Sequence, residues 1–147
     1  MKNYVSLDHV LMNATGNKRH MVILEHRPKK YLFGTLNYGE ITGWYNSADG
    51  DCWDVFVPGM KRRLPLKTPM KVKEILGVLF LENGNHKLAV QVYYPNFDND
   101  AAEQEITQYS KIYTQKMNKL GFWMDLETIK NARMTTKQIC DVFFNRK

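Results

Sequence analysis

The chain is poor in the residues that signal thiol or soft-metal chemistry. Only 2 of its 147 residues are cysteine, Cys52 and Cys140. They never form a C-x-x-C pair, so zinc-ribbon and dithiol redox classes are excluded, and a reduced chain needs no disulfide between them. The 4 histidines, His9, His20, His26 and His86, show no metal-ligand spacing. No apolar run approaches the ~18 residues of a membrane-crossing helix, so no membrane partner is expected. Residues 1–15 lack a continuous apolar stretch and a cleavage site, so no signal peptide is read and a cytoplasmic location is expected. Repeats, low-complexity tracts and an interdomain linker are missing as well. What is present, 44% hydrophobic and 24% charged residues, has the proportions of a folded globular chain, and the length suits one domain spanning 1–147.

Charge is the first uneven feature. The formal net charge is +6, and Lys61, Arg62, Arg63, Lys67, Lys71 and Lys73 supply that whole excess within one stretch. The rest of the chain is balanced, 15 basic against 15 acidic residues. Such a cluster attracts polyanions. No nucleic-acid-binding motif accompanies it, so a solvated loop and strand edge is the expectation and nucleic acid is not the expected partner.

The second is Asp49-Gly50-Asp51-Cys52-Trp53-Asp54-Val55, with 3 carboxylates in 6 residues just before an apolar strand-like run. Carboxylates this close repel one another unless a cation neutralises them, and the spacing D-x-D-x-x-D suits a hard divalent metal with oxygen ligands. A polar turn whose aspartates cap backbone N–H groups is the plainer reading.

Element signals surround this stretch. Residues 21–25 are rich in β-branched side chains, and residues 72–81 and 87–94 read as long strands. Glu82-Asn83-Gly84-Asn85 between them is a hairpin signal. Short strands with frequent turns predict a small β-barrel or a bent sheet. The last third changes period. Asp100 with Glu103 resembles a cap, and Ile106, Tyr109, Tyr113, Met117 and Leu120 form a helical stripe that Gly121 would close. Thr135 with Gln138 offers a second cap, ahead of an apolar face of Ile139, Val142 and Phe143.

With those residues assembled, the chain resembles the soluble inorganic pyrophosphatases of the metal-dependent β-barrel type, as a divergent and compact member. The resemblance is carried by Asn37-Tyr38-Gly39, by the Asp49–Val55 signature, by Gly77-Val78-Leu79 and by Lys87-Leu88, in the family's order from about residue 25 onward. It implies an α+β fold, a distorted five-stranded barrel of the oligonucleotide-binding kind with flanking C-terminal helices. It also implies hydrolysis of pyrophosphate to two phosphates with Mg2+, or Mn2+ in its place, and a homo-oligomer.

Site roles follow from the resemblance. Asp51, Asp54 and Tyr38 correspond to catalytic positions. Asp49, Asp51, Asp54, Glu82 and Glu25 correspond to metal positions, and Lys30, Lys87 and Tyr113 to phosphate-binding ones. Asn85 and His86 are candidate ligand contacts. The sequence departs from the family at Leu32 in place of a glutamate, Asn85 in place of a metal-binding aspartate, Thr114 in place of a lysine and Cys52 in place of a proline. The segment between Tyr31 and Asn37 is short and carries no arginine. Three functions stay open on these grounds: a working pyrophosphatase, a scaffold that binds a phosphorylated small molecule or nucleotide with little turnover, and an assembly component that uses residues 61–73.

Overall fold

A computed structural model of the chain describes residues 2–15, 22–24, 36–60, 64–115 and 117–144. In chain order the elements are α1 (Leu7–Asn13), β1 (Val22–Leu24), β2 (Asn37–Tyr45), β3 (Cys52–Val57), β4 (Pro69–Met70), β5 (Val72–Leu81), β6 (Lys87–Val92), α2 (Asn99–Gln115), β7 (Gly121–Asp125), α3 (Leu126–Asn131) and α4 (Thr136–Phe143). The class is α+β, as expected. The strands form one mixed sheet of 7 in the order β4-β1-β2-β3-β6-β5-β7. β3 and β6 run parallel, and the other pairs are antiparallel. The expected five-stranded barrel is met in part: the strands share one mixed sheet, the ladder is longer by the short β1 and β4, and among the described residues no pairing joins β4 to β7. Register shifts in β2–β3 and in β5–β6 bend the sheet instead, which is the usual effect of a bulge.

Period-two alternation sorts the central strands onto two apolar layers. Val55, Val57, Val78, Phe80, Leu88 and Val90 enter the larger layer, under α1, α3 and α4. Phe56, Leu79, Leu81 and Ala89 enter the smaller layer, which is closed by Tyr109 of α2. β3 is therefore buried along its whole length. A charged side chain on it must find a partner inside, and Asp54 is that side chain.

The two hairpin connections near the site are built by their own polar residues. In the β2–β3 turn Asn46 accepts from Ala48 N–H through Oδ1 (3.0 Å), and Asp49 Oδ1 accepts from Asp51 N–H (2.9 Å). Gly50 stands at φ +77, where a side chain is strained. The capping role expected for these aspartates is thus met at Asp49. In the β5–β6 turn Gly84 takes φ +83 and Asn83 Oδ1 accepts from Asn85 N–H (2.9 Å).

The last third is cut differently from its apolar pattern. The α2 helix ends at Gln115, and Gly121 opens β7 rather than closing a helix. A Cβ at Gly121 would stand 2.7 Å from Leu81 Cδ2 and from Phe80 O, so close strand approach accounts for that glycine. The cap of α2 is Asp98, whose Oδ1 accepts from Ala101 N–H (3.1 Å), in place of Asp100. Thr135 and Gln138 do form a capping box. On α4 only Ile139 of the expected apolar face is buried, whereas Val142 and Phe143 are exposed.

Candidate active-site cleft

Asp54 and Lys87 come together because of strand register. Val55 pairs with Leu88 and Phe56 with Ala89 in the parallel β3–β6 ladder. One step earlier, Asp54 faces Lys87 on the α2 side of the sheet. Lys87 Nζ donates to Asp54 Oδ2 at 2.5 Å, with both side chains only 3% exposed. A buried charge pair of this kind is costly to break from one side, because the survivor is left uncompensated. Lys87 Nζ also sits 5.6 Å from the centroid of the Tyr113 ring.

Around this pair a cleft of about 120 Å³ is lined by Tyr38, Asp49, Asp51, Asp54, Asn85, Lys87 and Tyr113. Its walls come from β2, the β2–β3 turn, β3, the β5–β6 turn, β6 and α2. Tyr38 is buried in β2, and its ring lies 6.1 Å from that of Tyr109. Tyr109 stacks on Phe56 at 4.4 Å and lies 5.6 Å from Tyr113. Aromatic packing therefore fixes the floor against α2. Asn46 Nδ2 donates to Gly84 O (3.3 Å) and ties the aspartate turn to the turn that carries Asn85. Lys2 Nζ donates to Gly50 O (2.7 Å) from the outer side. Neither residue belongs to the signature stretch or to the hairpin motif. Asn46 does carry a signal, an asparagine opening a turn that it can hydrogen-bond.

Apart from Lys87, the side chains that line the cleft carry oxygen donors, the kind a hard cation takes. Asn85 Oδ1 is buried with no hydrogen-bond partner among the described residues, a position that a cation or a donor would satisfy. Yet among the described residues no 3 His, Cys, Asp or Glu side chains converge into a group that could hold a metal. The geometry explains this: Lys87 is drawn against Asp54, and Asp49 is turned to its own loop. Asp49 and Asp51 are exposed, and Asp54 is the one aspartate of the three that is buried. The residues fit a cation chemically without being gathered around one.

Seven of the sequence-predicted site residues thus share one cleft. Glu25 and Lys30 lie outside the described residues. Glu82 is exposed and lines shallow depressions elsewhere rather than this cleft. His86 is also away from it. Strand alternation turns it to the opposite face from Lys87, where its Nδ1 accepts from Leu81 N–H (2.9 Å) and its ring packs between Trp53 and Phe80. With Nδ1 accepting, the neutral ring carries its proton on Nε2, which lies 3.8 Å from Cys140 Sγ. Cys140 is buried there as a packing residue. Cys52 is buried in β3, and burial pushes its thiol pKa up, which makes it a poor nucleophile. Trp44 is buried with its ring edge-on to His9, so it packs rather than offering a stacking face.

Among solved structures, the crystal structure of inorganic pyrophosphatase from Thermus thermophilus is similar to this chain. The identity is 21% and the TM-score 0.47, with 77% of this chain and 87% of that one covered. A likeness at that level carries no argument about activity, so the case for function rests on the cleft. No family model matches the chain, and no curated protein matches it. No described helix is long and apolar enough to cross a membrane.

Proposed function

We propose that the chain hydrolyses inorganic pyrophosphate with a divalent cation, Mg2+ or Mn2+, held by Asp49, Asp51, Asp54 and Asn85. One observation carries the reading: residues of six separate segments, singled out in the sequence through the family resemblance, line a single small cleft. The cation supplies charge neutralisation and a bound water acidified toward neutral pH. The protein's own groups do the rest. Asp54, buried and charged, holds an acceptor beside the reacting phosphorus and orients the attacking water. Lys87 donates to a phosphate oxygen, and the hydroxyls of Tyr38 and Tyr113 donate to others, so charge that develops on the leaving phosphate meets fixed donors. The α2 helix excludes water from the inner wall through Tyr109. Lys30 and Glu25 complete the phosphate and cation shells in this proposal.

A second reading has its own support. Lys87 is already matched to Asp54, and Asp49 and Asp51 line the same cleft, so the described lining is net negative and gives a leaving phosphate few fixed positive charges. A cleft of this kind suits a phosphorylated small molecule held through a bound cation, with slow turnover. Phosphate release from pyrophosphate, measured with Mg2+ for the wild type and for Asp54→Asn, separates the two. The proposal expects release that falls by about 10²–10³ or more in the variant. Wild-type release no faster than the variant's, together with tight pyrophosphate binding in calorimetry, would establish the second reading instead.

A further inference from the structure

The two ends of the sheet are finished differently. At one end β4 is only 2 residues long and carries Pro69, with Lys67 and Lys71 exposed beside it. Proline and lysine at a short edge are common means of keeping a further strand away. At the other end β7 runs for 5 residues, Gly121–Asp125, with no proline, no lysine and no register shift in its pairing with β5. Among the described residues nothing pairs with its outer side.

The phase of the ladder fixes which backbone groups that outer side presents. Glu82 N–H donates to Leu120 O (3.0 Å), and Phe80 opposite Phe122 and Val78 opposite Met124 continue that hydrogen-bonded series. The N–H groups of Trp123 and Asp125 and the carbonyls of Gly121 and Trp123 therefore point away from β5. Both flanks of this edge are apolar and open. On the α2 face a groove of about 380 Å³ passes beside Trp123, lined also by Leu76, Phe97 and Ile106. On the opposite face Phe143, 57% exposed, stacks on half-buried Phe122 at 4.5 Å. Leu120, next to the start of the strand, is 66% exposed.

We propose that the outer edge of β7 pairs with β7 of a second copy of this chain, antiparallel about a twofold axis at Trp123, so that the sheet continues across a dimer. The strand is complementary to itself at that register. Trp123 N–H meets the carbonyl of the other Trp123, and Asp125 N–H meets Gly121 O. Charge selects the same arrangement. Lys119 stands just before each strand, and Asp125 and Glu127 stand at and after its end, all three exposed. The twofold sets the lysine of one copy toward the carboxylates of the other, whereas a parallel pairing would set like charges together. The apolar flanks meet as well. Trp123 lies beside its counterpart along the groove, and Phe122 lies opposite the second copy's Met124. Such a contact uses the same patch on both copies and closes on itself, so assembly stops at two. The inference draws on the strand edge alone and does not rest on the phosphohydrolase reading.

Sedimentation equilibrium of the wild-type chain, from micromolar to submillimolar concentration, is expected to show reversible growth from the mass of one chain to that of two. The mass of one chain throughout overturns the proposal. Amide hydrogen exchange, read by nuclear magnetic resonance on both sides of that transition, locates the contact. The amides of Trp123 and Asp125 are expected to slow about tenfold or more in the dimer, while those of Phe122 and Met124, bonded to β5 in either state, change far less. A dimer in which Trp123 and Asp125 exchange as fast as in the single chain also overturns the proposal. Leu120→Lys places a charge beside the edge, and circular dichroism checks its folding. It is expected to raise the dimer dissociation constant about tenfold or more, and an unchanged constant counts against β7 as the contact. If that variant does not fold, a zero-length carbodiimide cross-link in a mixture of unlabelled and heavy-nitrogen wild-type protein takes its place. Lys119 joined to Asp125 or Glu127 through one light and one heavy peptide is expected, and cross-links between copies at other pairs alone overturn the proposal.

Discussion

Asn85 sets the charge of the cleft. An aspartate there would add a fourth carboxylate to the lining; the asparagine keeps an oxygen in place, buried and unmatched among the described residues, without the charge. Cation affinity at oxygen sites rises with the number of charged ligands. Asn85→Asp is expected to tighten Mg2+ binding about tenfold by calorimetry, since a nearby full charge contributes on the order of a kcal/mol or more even at high effective dielectric. Unchanged or weaker affinity would show that this oxygen does not face the cation. Glu105 offers a separate check at the same scale. Its Oε2 accepts from Gly59 N–H (3.2 Å), and burial pushes its carboxyl pKa up. With the folded value above the unfolded one, its stabilising contribution is complete below the unfolded value, ~4.3, and is lost as pH rises through the folded value. Glu105→Gln keeps the acceptor and drops the charge. It is expected to raise the thermal midpoint at pH 7 and to give no gain at pH 3.5, as followed by circular dichroism; an equal gain at both would contradict the account.

Among elements, the β5–β6 hairpin was legible and β7 was not, for physical reasons. Residues 72–81 form a long strand that is apolar from Ile75 onward and is followed by Asn83-Gly84, and a turn with positive φ at glycine is what that pair encodes. Gly121–Asp125 is short and follows directly on a helical stripe, so its period is ambiguous until its partner is known. That partner is β5, with Val78 opposite Met124 and Leu79 opposite Trp123. The α1 helix leaves little trace in the sequence because it is only 7 residues long and is held by the burial of Leu7 and Val10 rather than by a long pattern. Gly77 shows how a motif residue acquires its reason only in the fold. A Cβ there would lie 2.5 Å from Met124 O and 2.6 Å from the Trp123 ring. Gly77→Ala is therefore expected to cost about 1–3 kcal/mol by forcing β7 outward, as measured by urea denaturation. A cost below about 0.5 kcal/mol, within the range of an ordinary surface change, would mean that β7 does not pack as closely as described.

For the whole molecule, the identities in the cleft could be read from the sequence, but its wiring could not. Asp49, Asp51 and Asp54 stand out by charge and spacing, and Lys87 through the resemblance. The contact between Asp54 and Lys87 follows from a parallel register across 33 residues of chain, and no local pattern encodes it. The same alternation removes His86 from the cleft although it sits between Asn85 and Lys87. The basic stretch also resolves in part: Lys67, Lys71 and Lys73 are exposed and line no wall of the cleft, while residues 61–63 lie outside the described residues. The lysines that are described therefore do not replace the positive charge that Thr114 and the arginine-free segment between Tyr31 and Asn37 leave out of the resemblance. Whether pyrophosphate is consumed or merely held is the question on which the account stands. Phosphorus-31 nuclear magnetic resonance of pyrophosphate mixed with the wild-type protein and Mg2+ answers it directly. The account predicts that the pyrophosphate signal decays while an orthophosphate signal grows, and that a chelator stops both. A pyrophosphate signal that broadens or shifts but persists, with no orthophosphate formed, would contradict it.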